Sequence, residues 1–92
     1  MSNRDGVFNE CGIPDHMRDG IELWIDQGIE PGSFLMAVIC NDLKGAFASA
    51  DSINESRIKN FVQFFYWHAP SECWGSTEKA TAWANECREV QA

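Results

Sequence analysis

The residues of this 92-residue chain best suited to chemistry are four cysteines and two histidines. They include two similar pairs: four residues separate Cys11 from His16, and four separate His68 from Cys73. Two Cys and two His make a donor set that zinc accepts, but structural zinc pairs on a loop usually sit closer, as in CxxC, so the spacing argues against a metal. Cys73 with His68 is also the local candidate for a nucleophile and its base, which would need contact between them and donors for a developing oxyanion. Pro70 lies between them, and there is no phosphate-cradling glycine loop, nucleophile elbow or HExxH motif. The residues therefore predict a non-catalytic protein without metal or cofactor. Cys73-Trp74-Gly75-Ser76 is expected to anchor a loop and open a helix.

A different kind of candidate is Asn41-Asp42, a polar pair inside the apolar run from Phe34 to Phe47. An unpaired carboxylate is expensive to bury, so Asp42 must meet a partner inside the fold or face a surface that something covers. The structural expectation is an internal anchor: Asp42 accepts hydrogen bonds from a helix start, a Trp N–H, Arg18 or Arg57, while Asp51 or Asn54 caps the following helix. The functional alternative is a ligand pocket walled by Trp24 with Asp42 on its polar floor.

The elements that must carry these residues are helices, because no stretch shows the alternation and tight turns of a sheet. A loose start runs to about residue 12. Pro14 fits the first turn of a helix that Gly28 ends, with Ile13, Met17, Ile21, Trp24 and Ile25 on one face. Ser33 is expected to cap a central, most buried helix reaching about Ser49 along Leu35, Val38, Ile39, Leu43, Ala46 and Phe47. Ser52 and Glu55 have capping-box spacing for a third helix to Trp67, with Ile58, Phe61, Val62 and Phe65 inward. Phe64, Tyr66 and Trp67 fall outside that stripe and are expected to form an aromatic association surface. Ser76 caps a last helix with Ala80, Trp83, Ala84 and Cys87 on one face. The expected architecture is all-α, a compact bundle of three to four short antiparallel helices in a single domain.

Fourteen acidic against seven basic residues give a formal charge of −7, which argues against direct nucleic-acid binding and favours a basic protein surface as partner. The polar start and the lack of a long apolar run predict no export signal and no membrane span, hence a cytoplasmic setting with free thiols. A chain this short with aromatics on several helix sides is also expected to self-associate slightly more readily than to stay monomeric.

Ile13-Pro14-Asp15-His16, Pro31-Gly32-Ser33-Phe34-Leu35, Asn41-Asp42-Leu43, Ala50-Asp51 with Asn54, and Ala69-Pro70 followed by Cys73-Trp74-Gly75-Ser76 occur in an order that resembles a family of short, uncharacterised proteins of tailed bacteriophages and prophages. The resemblance covers about residues 13 to 83. It implies a phage origin and a host-cytoplasm setting, and by analogy an accessory factor that binds a host protein or defence complex, as anti-CRISPR proteins do. Two alternatives stand beside it: a module that sequesters a small molecule or nucleotide, and a metal protein or enzyme built on Cys73 and His68.

Overall fold

Local chain chemistry sets where each helix starts and stops. The computed structural model describes residues 4–91, with side chains described to residue 89. Among these residues the chain is all-helical: α1 (Asp5–Cys11), α2 (Asp15–Gln27), α3 (Ser33–Ile39), α4 (Leu43–Ser49), α5 (Ser52–Ser56), α6 (Ile58–His68) and α7 (Thr77–Gln91), with a 3-10 turn at Ser71–Cys73. That is more than the three to four helices expected, for three reasons. The start expected to be loose holds α1 from Asp5 onward, pinned by Phe8, which is fully buried. The expected long second and third helices each break in the middle.

The first break is at Asn41, which adopts left-handed backbone with φ 61°. Asn41 N–H donates to Val38 O at 3.1 Å and Asp42 N–H to Ala37 O at 2.8 Å, the paired bonds of a Schellman end. Asn tolerates this conformation better than most residues with a Cβ. Asp42 then caps α4, its carboxylate accepting from Gly45 N–H at 3.0 Å. The second break falls at Arg57, between α5 and α6. Asp51, not Ser52, caps α5, accepting from Asn54 N–H at 2.7 Å. Ser33 likewise lies inside α3 behind Gly32 at the cap position, whereas Ser76 does accept from Lys79 N–H at 3.1 Å.

One core joins the elements. α3 packs on α4, α1 on α6, α2 on α7, and α5 on α6, while the 3-10 turn lies against α7. Ile21, Trp24 and Ile25 of α2 are buried as their spacing predicts, and so are Ala80 and Ala84 of α7. On α6 the buried set is Phe61, Phe64 and Phe65, leaving Val62 out. Phe64 is turned inward because Phe8 of α1 covers it, ring centroids 5.0 Å apart. The radius of gyration, 12.4 Å, is that of a fully collapsed chain of this length.

Gly28 ends α2 with φ 66°, and a Cβ there would stand 2.7 Å from Cys87 Cβ and 3.1 Å from Ala84 Cα. The position thus needs glycine twice over, for conformation and for the close approach of α7. Gly28→Ala should cost about 2 kcal/mol or more, since the left-handed conformation alone costs roughly 1–2 kcal/mol for a residue with a Cβ. Asn41→Gly keeps its conformation and should shift stability by less than about 0.5 kcal/mol. Urea denaturation of both variants checks the contrast.

Candidate functional site

The residues singled out for chemistry are dispersed or sealed. Cys73 is fully buried, and its backbone carbonyl accepts the indole N–H of Trp24 at 2.9 Å. Burial pushes its thiol up to about 11, with a smaller contribution from Glu72, so it stays protonated near neutrality. His68 is exposed, its ring centroid 6.3 Å from that of Phe64. No hydrogen bond joins it to Cys73 among the described residues. Cys11 offers its backbone carbonyl to Asn60 Nδ2 at 2.8 Å, while His16 pairs with Asp51 at 3.3 Å. All four cysteines are free, and no group of three or more His, Cys, Asp or Glu among the described residues is arranged to hold a metal ion.

The polar anchors are corrected in part. Asp42 is exposed and accepts from a helix start, one of the partners expected for it, but that helix is its own, and no bond joins it to Arg18, Arg57 or a Trp N–H among the described residues. Asn41 is exposed too, and its contribution is its backbone conformation. Asp51 does tie two helices: the N–H of Asn54 first, and His16 of α2 to a lesser degree, hold its carboxyl below the usual carboxylate range. Asn54 is buried, but its side-chain amide donates only to Met17 Sδ at 3.3 Å and its Oδ1 has no partner among the described residues.

Trp24 and Asp42 do not share a pocket. Trp24 is fully buried; its carbonyl accepts the indole N–H of Trp83 at 3.0 Å, and it floors a cleft of about 180 Å³ with Met36, Cys40, Ala80 and Ala84, rimmed by Glu30 and Arg88. Asp42 and Asn41 lie instead at a separate apolar hollow of about 110 Å³, whose walls include Val38, Leu43, Ala46, Ile58, Val62 and Trp74.

That hollow belongs to a larger exposed surface. Of the expected aromatic patch, Phe64 is buried in the core, but Tyr66 and Trp67 are 66% and 71% exposed and meet edge to face at 4.8 Å. Leu43 and Phe47, one turn apart on α4, are 67% and 56% exposed rather than buried as their spacing suggested. Val62 lies one turn before Tyr66 on α6 and lines the hollow opposite Leu43, so these five side chains form a band across α4 and α6. Sequence periodicity missed Leu43 and Phe47 because it assumed an unbroken second helix, and it turned Val62 inward on a helix whose positions are nearly all apolar.

Charge is unevenly distributed along the chain, and Asp42 is the carboxylate at the hollow. Residues 1–30 hold seven acidic and two basic side chains, residues 31–70 three of each, and residues 71–92 four and two. The neutral middle segment carries Leu43, Phe47, Ile53, Val62, Tyr66 and Trp67, whereas α2 presents Asp19, Glu22 and Asp26 around half-exposed Leu23. Asp26 is held to Arg4 by two bonds of 2.8 and 3.0 Å.

The chain matches no protein-family model, no curated protein and no solved structure. No helix among the described residues is long and apolar enough to cross a membrane.

Two outcomes follow for this scaffold. Trp24→Phe leaves Cys73 O without its donor and should cost about 1–3 kcal/mol, the usual penalty for an orphaned buried polar group; thermal unfolding measures it. The Arg4 hydrogen bonds, above all, lower the Asp26 carboxyl from its ordinary 3.8. A depressed carboxyl stabilises the fold where its unfolded counterpart is already ionised. The difference between the protein and Asp26→Asn should thus be about 0.5 kcal/mol at pH 7, the size expected of an exposed pair, and disappear as pH falls below about 4 through the lowered value. Stability curves at pH 7 and pH 2.5 test the sign.

Proposed function

We propose that this chain is a small, non-catalytic, phage-encoded interaction protein that binds and modulates a host protein or defence complex in the host cytoplasm. The observation that carries the reading is the acidic face of α2, where Asp19, Glu22 and Asp26 stand around exposed Leu23. An exposed apolar band of this extent exceeds what scattered surface residues produce and is the usual mark of a protein contact. The acidic side chains of α2 surround one exposed leucine, an arrangement that suits a basic surface with an apolar anchor at its centre. The phage setting is supported by the sequence resemblance alone.

The partner is expected to be a protein with a basic face. Capture from a bacterial host lysate, followed by mass spectrometry, should return such a protein, and capture should weaken between about 0.05 and 0.5 M salt as surface charges are screened. The double substitution Asp19→Lys with Glu22→Lys should reduce binding at least about tenfold, because it opposes like charges across the contact. Salt-insensitive capture, or full binding by the reversed variant, contradicts the reading.

A further inference from the structure

We infer that the apolar band of α4 and α6 is covered by a second copy of this chain, the Tyr66–Trp67 pair of each copy closing the hollow between α4 and α6 of the other. Three observations converge on that occupant.

The first is charge. A copy carrying −7 should repel another, yet the segment bearing the band has three acidic and three basic residues and no net charge. Two copies can therefore meet here while their acidic α2 helices remain elsewhere. An anionic lipid surface would repel the chain as a whole.

The second is shape. A two-fold contact needs a surface that is its own complement, a projection and a recess on the same patch. The edge-to-face aromatic pair is the projection, and the 110 Å³ hollow behind Leu43 and Val62 is the recess. That volume is below the ~150 Å³ at which an apolar cavity accepts a whole benzene ring, so the hollow takes the edge of one ring while the rest of the pair lies across its mouth. The hollow is walled by Ile58 and Val62 from the N-terminal half of α6, whereas the pair stands near its C-terminal end. Antiparallel pairing of two α6 helices about their midpoints therefore brings each aromatic pair toward the other copy's hollow.

The third is area. Leu43, Phe47, Val62, Tyr66 and Trp67 are each 40–71% exposed. Taking roughly 150–250 Å² for each fully bared aromatic and somewhat less for Leu and Val, and scaling by these exposures, the five present on the order of 400–700 Å². One partner in a standard interface contributes about 800 Å².

The inference concerns the apolar side of α4 and α6 rather than the acidic face of α2 and needs no host partner, so the purified chain decides it. Sedimentation equilibrium at about 100 µM, well above the micromolar dissociation constants of weaker standard-sized interfaces, should give twice the chain mass of 10.4 kDa. Leu43→Asp fills the recess with charge and Trp67→Ala removes half the projection. Both residues are exposed, so helicity by circular dichroism should be unchanged while each variant sediments as a monomer. Mixing the two variants restores one of the two contacts, and part of the dimer should return. A wild-type chain that remains at 10.4 kDa, a dimer that survives both substitutions, or a mixture that stays monomeric overturns the inference. A monomer that still captures its partner through α2 overturns the pairing and leaves the proposed function standing.

Discussion

A single left-handed residue shapes the surface of this protein. With Asn41 at φ 61°, α3 must end, and Asp42 immediately supplies the carboxylate that starts α4. A straight helix through residues 33–49 would have carried Leu43 and Phe47 along the same face as Leu35 and Ile39. The break keeps Ala46 in the core and leaves Leu43 and Phe47 outside, beside a hollow that α6 closes with Ile58 and Val62. Gly45 belongs to the same device: a Cβ at that position would collide with the Asp42 carboxylate that caps the turn. The polar pair is thus not a buried anchor. Its chemistry is to end one helix, begin another and so create an apolar surface.

What holds that surface steady is an interior stitched by tryptophan. Trp24 donates to Cys73 O while its own carbonyl receives Trp83, so one buried residue fixes the 3-10 turn and α7 against α2. Gly75 N–H, bonded to Ile39 O at 2.7 Å, ties the same loop to the end of α3. Cys73 is spent on this junction: it lies in the core with its thiol protonated, as a small apolar residue would. The aromatic layer of Phe8, Phe64, Phe65 and Trp74 continues the core beneath the exposed side of α6. Helices this short would be marginal alone in water, so tertiary packing of this kind carries their stability.

The readable parts of the sequence were those with local signals. Gly28, Ser76 and the Ile21-Trp24-Ile25 spacing identify the end of α2, the start of α7 and the buried face of α2 because each is a property of a few neighbouring residues. The break at Asn41 was not readable that way, since an Asn inside an apolar run fits an anchor as well as a left-handed stop. α6 failed for another reason. In Phe61-Val62-Gln63-Phe64-Phe65-Tyr66-Trp67 nearly every position is apolar, so periodicity cannot choose a face, and the choice is made by Phe8 packing on Phe64 from α1. Tyr66 and Trp67 remained legible as surface aromatics, whereas Leu43 and Phe47 became visible only with the break in place. Asn54 was legible as a polar residue near a helix start but not as a buried one, because its burial depends on Met17 of α2.

These features describe a scaffold that keeps acid on one stretch of chain and apolar surface on another, so that one side can attract while the other closes. The claim that a second copy closes it is tested most directly by an isotope-filtered NOE experiment on a mixture of labelled and unlabelled chain. The account predicts contacts between the Tyr66 and Trp67 ring protons of one copy and the Leu43 and Val62 methyls of the other. A spectrum with no contacts between copies, or with contacts only at Leu23 on α2, would contradict it.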